Sequence, residues 1–227
     1  MTNNPSGFRE SQYDAWLDIE NKKRRTELGL IRNRIWSIDP RHFAFTFSRY
    51  KFVSKMFENF ECVLEVGCGD AFATRLVQQT TKHVTAIDFD TKFIDDINRR
   101  QDPDWPLEAK VHDILSGPLD ETFDGIFSLD VLEHIETSRE TDFLRNVVAC
   151  LNPHGTFIVG MPSLESQLYA SDVSKAGHVN CKSGSDLRQL LKEHFHSVFM
   201  FSMNDEVVHT GFFPMSHYLL AVCCDKR

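Results

Sequence analysis

Val63-Leu64-Glu65-Val66-Gly67-Cys68-Gly69-Asp70-Ala71 joins a short apolar run to a glycine turn and the start of a helical pattern. Two glycines one residue apart let a backbone turn tightly and approach a ligand closely, and a helix after such a turn presents unpaired N–H groups and a positive dipole end. The stretch therefore reads as a strand, turn and helix start that cradle a nucleoside cofactor. A dinucleotide fingerprint needs a third glycine three residues after the second, where this chain has Phe72, so the nicotinamide reading weakens. Glu65 and Asp70 flank the turn; carboxylates repel a pyrophosphate but suit a cationic ligand with amine and hydroxyl donors.

Three later segments extend the pattern. His83-Val84-Thr85-Ala86-Ile87-Asp88 is a second short apolar strand ending in an acid, where Rossmann-like folds hydrogen-bond ribose hydroxyls. Lys110-Val111-His112-Asp113-Ile114 ends a third strand in Asp113. Phe123-Asp124-Gly125-Ile126-Phe127-Ser128-Leu129-Asp130-Val131-Leu132-Glu133-His134-Ile135 runs from a buried strand into a polar cluster.

Taken in order over residues 63–135, these segments resemble the class I S-adenosylmethionine-dependent methyltransferases of small-molecule type, whose first motif reads Glu/Asp-x-Gly-x-Gly and is matched here by Glu65-Val66-Gly67-Cys68-Gly69. The resemblance implies an α/β fold: a Rossmann-like, seven-stranded, mostly parallel sheet of order 3-2-1-4-5-7-6, last strand antiparallel, with helices on both faces. It implies S-adenosylmethionine as cofactor and S-adenosylhomocysteine as product. Cofactor contacts would fall on Glu65, Gly67, Cys68 and Gly69; on Asp88 at the ribose; on Asp113 at the adenine; on Leu129 and Asp130 at the methionine end; and on Phe89 and Ile114. Arg49, on the helix before the first strand, would bind the methionine carboxylate, with Tyr50 beside it facing the acceptor. Glu133 and His134 would line the acceptor pocket.

Strand and helix patterns alternate from Cys62 onward, which calls for a parallel sheet covered on both faces. Helices are expected near Ala71–Gln79, Lys92–Arg100, Glu140–Leu151 and Ser183–Phe195, the last capped by Ser183 or Ser185. Asn152-Pro153-His154-Gly155 stops the third of these, and Thr156–Gly160 is a fifth buried strand. His196–Met203 and His217–Cys224 read as a closing antiparallel pair. Residues 1–59 are expected to form an N-terminal helical segment or lid packed on the core, and residues 60–227 the methyltransferase domain.

Composition narrows the partners. With 227 residues, 41% hydrophobic and 26% charged, the chain is long enough for one large domain. A formal net charge of -8 opposes the phosphate-neutralising surface of a nucleic-acid binder, and the basic run Lys22-Lys23-Arg24-Arg25 sits among acids at helical spacing, as in Glu20 with Arg24. No apolar run reaches the roughly 20 residues of a membrane span, and no leader pattern is present, so no membrane and a cytoplasmic address are expected. The six cysteines show no C-x-x-C pairing and the ten histidines no H-E-x-x-H, so no metal is expected.

Methyl transfer from a sulfonium is an in-line displacement in which holding the acceptor atom in a dry pocket does most of the work. A hydroxyl acceptor gains from a base near neutrality, which histidine supplies; an amine needs only a neutral lone pair. His134, and His178 in a long polar loop after the fifth strand, are the candidate catalytic groups. Asn204 and His209, in the connection between the last strands, are candidate acceptor contacts. The expected acceptor is a small polar metabolite, O- or N-methylated, such as a glycan or specialised-metabolite precursor. A protein or RNA methyltransferase, and a non-catalytic cofactor-binding partner, stay open, as does a homodimer; the Asn/Asp-Pro-Pro-aromatic signature of base-amino methylation is absent, since Asp130 is followed by Val131-Leu132-Glu133.

Overall fold

The computed structural model describes residues 8–17 and 25–227. The basic run at Lys22-Lys23-Arg24 and most of the charged segment around it lie outside the described residues. Its centre is a sheet of eight strands: β1 (Cys62–Val66), β2 (His83–Asp88), β3 (Glu108–Val111), β4 (Phe123–Leu129), β5 (Leu151–Pro162), β6 (Phe195–Asn204), β7 (Val207–His209) and β8 (Tyr218–Lys226). They lie in the order β3-β2-β1-β4-β5-β8-β6-β7. Neighbours among β1 to β5 run parallel, in registers such as Glu65 beside Ala86 and Phe127. The chain's last strand is inserted antiparallel between β5 and β6, as expected. One strand was missed. Asp205, at φ 47°, turns β6 back into the three-residue β7, which extends the sheet edge to eight strands rather than seven.

The period-2 alternation of buried strands divides the core. Leu64, Val66, Ile126, Phe157 and Val159 face α5 (Glu140–Ala149), which supplies Phe143, Leu144 and Val147, and α7 (Gly184–Lys192), which supplies Leu187 and Leu191. On the other face Val63, Phe127, Ile158 and Leu220 meet α2 (His42–Met56) through Tyr50 and Val53, and α3 (Arg75–Gln78) through Val77. Glu65 shares this second face, and that sets its environment below. α4 (Thr91–Arg99) is started by the Asp90 carboxylate, which accepts from Lys92 N at 2.9 Å, and Ser183 caps α7 by accepting from Asp186 N. α1 (Leu30–Ile38) lies over the glycine turn, and the short α6 (Asp172–Gly177) belongs to the loop after β5.

Two expected helices differ. The one after the glycine turn begins only at Arg75, because Asp70 to Thr74 is spent in turns, with Ala71 at φ 49°. Asn152–Gly155, expected only to stop a helix, is the bulged start of β5: Phe123 pairs with Leu151, then Gly125 with Thr156. Among the described residues no helix is long and apolar enough to cross a membrane.

Candidate active site

The carboxyl ends of β1, β2 and β4 meet at the glycine turn. Gly67 and Gly69 sit at φ 75° and 53°, where a side chain is strained, and a Cβ on Gly67 would collide with Val131. The N–H groups of Gly67 and Cys68 donate to the Ile87 carbonyl at 2.8 and 3.0 Å, pinning the turn to β2. Gly69 N–H donates to Asp88 Oδ2 at 2.9 Å, and Asp90 N–H to Asp88 Oδ1 at 2.9 Å. Asp88 is thus oriented before any ligand arrives. Asp113 lies exposed beyond β3, one oxygen accepting from Leu115 N–H at 2.9 Å. Phe89 is 75% exposed and Ile114 buried, so an apolar surface and an apolar floor adjoin the two acids.

Glu65 is 2% exposed, and both its oxygens are taken, one by the Tyr50 hydroxyl at 2.6 Å and the other by the Thr74 hydroxyl. Burial pushes its carboxyl up to about 7, against the two hydroxyl donors and with a smaller upward push from Asp70. Glu65 therefore ties α2 and α3 to β1. Tyr50 was expected to face the acceptor. Instead it is buried with its ring edge-on to Phe127 and its hydroxyl on Glu65, so it shapes the site from behind. The Cys68 thiol is likewise buried and pushed far up by burial, then by Glu65 and Asp88; it packs, unionised.

Asp70 does something the sequence did not suggest. Its carboxylate bridges the glycine loop and a helix: one oxygen accepts from Phe72 N–H at 3.3 Å, the other from Arg32 N–H at 2.7 Å, and the group stands 3.8 Å from the Arg32 guanidinium. It caps the N-terminus of α1, and Ile31 of that helix lies over Gly69, 2.7 Å from where a Cβ would stand. Arg32 also donates to the Thr46 hydroxyl at 2.9 Å, which joins α1 to α2.

Arg49 forks onto Asp130, donating to both carboxylate oxygens at 2.9 and 2.8 Å, with its guanidinium 3.6 Å from the centre of the Tyr218 ring. Burial opposes the Arg49 charge, but Asp130, Tyr218 and Glu133 together raise the group above its ordinary value. Arg49 Nε is buried without a hydrogen-bond partner among the described residues. Asp130 adopts φ 59°, its N–H donating to Gly160 O at 3.0 Å, so the chain bends sharply as it leaves Leu129.

That bend carries Glu133 and His134 into a short 3-10 turn. Glu133 is 1% exposed; its carbonyl accepts from Val179 and Asn180 N–H at 2.8 and 3.0 Å, while its Oε2 has no partner among the described residues. Burial, then the nearby Asp130, push its carboxyl well up. The loop after β5 is closed at its neck by a bridge between Ser163 and Lys182 and brings His178 back to His134, with the rings 5.2 Å apart and edge-to-face. His134 Nδ1 lies 2.8 Å from the Gly177 carbonyl, which only accepts, so Nδ1 carries a proton and, in the neutral ring, Nε2 keeps the lone pair. His178 Nδ1 lies 2.8 Å from Gln167 Oε1, and the Gln167 amide nitrogen donates to Ser163 O at 3.2 Å, so His178 also keeps its lone pair on Nε2. Burial, then His134, hold His178 below its ordinary value.

Asn204 and His209 do not join this cluster. His209 Nε2 donates to Asn204 Oδ1 at 2.9 Å, its Nδ1 accepts from Gly211 N–H at 2.9 Å, and Asn204 Nδ2 donates to Met215 O at 3.0 Å. They fold the β6–β7 hairpin onto itself, three to four strands from β4, which is roughly 14–19 Å. Gln167 and Gly177, which fix the histidines, gave no signal because each acts only through a contact that the loop creates.

Known proteins resemble the chain in sequence and in fold. Residues 64–159 match the family described as methyltransferase domain. The ubiquinone biosynthesis O-methyltransferase of Schizosaccharomyces pombe is 26% identical over 141 residues, covering 58% of this chain and 51% of that protein. A protein of Mycobacterium bovis described as an uncharacterized methyltransferase is 31% identical over 113 residues, covering 48% of this chain and 56% of that one. The chain thus spans about half the length of the curated relatives it matches. Among solved structures, the N-methyltransferase NodS of Bradyrhizobium japonicum, in complex with S-adenosylhomocysteine, aligns with a TM-score of 0.60 at 22% identity, covering 84% of this chain and 91% of that one. DhpI, in a complex described as DhpI-SAM-HEP, aligns with a TM-score of 0.62 at 16% identity, over 98% and 99% of the two chains. Residues 64–159 thus match a methyltransferase domain, and the chain has the fold of the class I S-adenosylmethionine-dependent methyltransferases. S-adenosylmethionine is the cofactor of that class, and the strained glycine turn, the pre-oriented Asp88 and the buried Arg49 guanidinium fit its ribose and its charged methionine end.

Proposed function

We propose that the chain is an enzyme that transfers a methyl group from S-adenosylmethionine to a hydroxyl of a small acceptor with a polar reacting end. The observation that carries this reading is the pair His134 and His178, each held with its proton on Nδ1 and its lone pair on Nε2, next in the chain or in space to the buried Glu133. When bound, the cofactor supplies the electrophilic methyl carbon. Asp88 would hold its ribose, Asp113, Phe89 and Ile114 its adenine end, and Arg49, Leu129 and Asp130 its methionine end. Glu65 acts behind the turn through Tyr50 and Thr74. Two neutral imidazole lone pairs can accept hydrogen bonds from the acceptor and orient its oxygen, which is where most of the rate of a displacement resides.

The acceptor also needs an apolar part, because the loop that carries His178 exposes Leu168, Tyr169 and Val173, each at 74% or more. Residues 1–59 act in this reading as a lid, through α1 over Gly69, and the net charge of -8 speaks against nucleic acid. The cytoplasm remains the proposed address. Calorimetric titration with S-adenosylhomocysteine, followed by transfer of labelled methyl to a panel of phenols, sugars and amines, tests the proposal. Tight binding with transfer to hydroxyl acceptors is expected. Absence of binding by a ligand-free preparation overturns it.

A further inference from the structure

We propose that the cavity between α2, α3 and α4 is a second ligand site, one that takes a small organic molecule with a flat apolar body and a single carboxylate. The cavity, of about 540 Å³, is closed on its remaining side by residues 100–107, which join α4 to β3. Its size lies within the range of pockets that enclose small molecules. Asp70 and Ala71 of the glycine turn line it, whereas Gly67, Asp88, Asp113 and Leu129 of the proposed cofactor site do not.

Apolar surface comes from Phe47, Phe72, Leu76, Ile97 and Leu107, and the Phe47 and Phe72 rings stack with centroids 6.3 Å apart. A flat hydrocarbon body suits these walls, because burial of its area and offset contact with the rings are both favourable. Arg25, Arg75, Arg99 and Arg100 also line the cavity, against the acids Glu27, Asp70 and Asp102, so the local balance among the described residues is positive in a chain of net charge -8. An anion is therefore the expected guest.

Two of these arginines are spent on the fold. Arg99 pairs with Glu27 at 2.7 Å and Asp96 at 3.0 Å, and Arg100 pairs with Asp96 at 2.9 Å and donates to the Asp70 carbonyl at 2.6 Å. Arg75 is different. Its Cζ lies 3.3 Å from the centre of the Trp105 ring, which fixes the plane of the guanidinium. The group makes no hydrogen bond or ion pair among the described residues, and its Nη1 is buried without a partner there. An oriented fork of N–H donors with nothing to donate to matches a carboxylate, which accepts two parallel bonds. Asp102 and Asp104 act on Arg75 through space. One unspent guanidinium beside two acids offsets a single negative charge and not the two of a phosphate monoester, so a monocarboxylate is the anion of choice.

Calorimetric titration of the full-length protein with benzoate and with 2-naphthoate, each with and without saturating S-adenosylhomocysteine, tests the site. One equivalent of naphthoate is expected to bind in both cases. Naphthamide, which keeps the shape and drops the charge, and naphthyl phosphate, which adds a second charge, should each bind at least about 10-fold more weakly. Arg75→Gln should weaken naphthoate by about 10- to 100-fold. Arg75→Lys should weaken it several-fold, because an ammonium has neither the fork nor the stack. Trp105→Leu, which removes the support of the guanidinium, should do the same. S-adenosylhomocysteine affinity should be retained in all three variants, which shows that they are folded. Loss of naphthoate binding when S-adenosylhomocysteine is saturating would put the acid in the cofactor site and overturn the proposal. Equal binding of the amide, tighter binding of the phosphate, or an affinity that Arg75→Gln leaves unchanged would overturn it as well. A wild type that binds S-adenosylhomocysteine but neither acid removes the second site and leaves the methyltransferase reading intact.

Discussion

The two halves of the site are built on opposite principles. Where β1 and β2 end, Glu65 has both oxygens occupied, Asp88 accepts from two backbone N–H groups, and Asp70 caps a helix. Where β4 ends, Glu133 Oε2 is buried with no partner among the described residues, and the two imidazoles point Nδ1 at fixed oxygens. The first half is a scaffold finished before a ligand binds. The second is a set of groups whose polar needs the protein alone does not meet, and such groups are where chemistry or a ligand belongs.

The contrast breaks most visibly at the imidazoles. With an acceptor in hand, His134→Gln or His178→Gln should lower turnover by about 10²- to 10⁴-fold, the range for loss of a positioned proton-transfer or orienting group. Affinity for S-adenosylhomocysteine, measured by calorimetry on the same preparations, should change less than about threefold, well under 1 kcal/mol. Loss of cofactor affinity together with turnover would merge the two halves into one.

Glu65 sharpens the other side. Its carboxyl is pushed from 4.5 up to about 7. Between those values the folded chain keeps a proton that the unfolded chain has released, so this group's contribution to stability falls as pH rises and is flat above about 7. A shift of 2 to 3 units is worth on the order of 3 kcal/mol. Urea unfolding at pH 5 and pH 7.5 should therefore show Glu65→Gln losing less stability than the wild type over that interval, since its amide does not titrate. Parallel pH profiles would mean that Glu65 is ionised in the fold.

How legible each half was follows from how far apart in sequence its partners lie. The turn, β2 and Asp88 were readable because strand, glycines and acid lie within 26 residues and each is set by local backbone geometry. The inserted final strand came only through family resemblance. Tyr50 was misplaced because a helical pattern gives its face but not whether the phenol meets a ligand or a buried carboxylate. Asn204 and His209 look like a binding pair in sequence, yet satisfy each other within one hairpin. The approach of His134 to His178 spans 44 positions and depends on the neck between Ser163 and Lys182, which no local pattern encodes.

Asp88→Ala probes whether the finished half is also the binding half. The substitution leaves Gly69 N–H and Asp90 N–H without their acceptor and removes the proposed ribose partner. Loss of hydrogen bonds to a charged group is worth about 2 kcal/mol, so S-adenosylhomocysteine affinity should fall about 30-fold. Turnover at saturating cofactor should fall less, because the imidazoles are untouched. An unchanged dissociation constant would place the ribose elsewhere.

Asp70 offers the smallest and most local test, because it belongs to the finished half yet acts on a helix outside the sheet. Its carboxylate satisfies the Arg32 N–H at the first turn of α1, the end of the helix whose dipole attracts negative charge. Removing such a cap costs about 1 kcal/mol. If α1 is a lid, most of that cost loosens α1 alone rather than unfolding the sheet, since the core strands are held by other contacts. Asp70→Ala should then raise backbone hydrogen exchange in residues 30–38 several-fold and weaken S-adenosylhomocysteine binding by about three- to fivefold, with a dissociation rate that rises more than the association rate falls. Asp70→Asn, whose side chain still accepts from Arg32 N–H, should recover most of the protection. If exchange in α1 rises while cofactor affinity stays fixed, the helix is a neighbour of the glycine turn and not its cover.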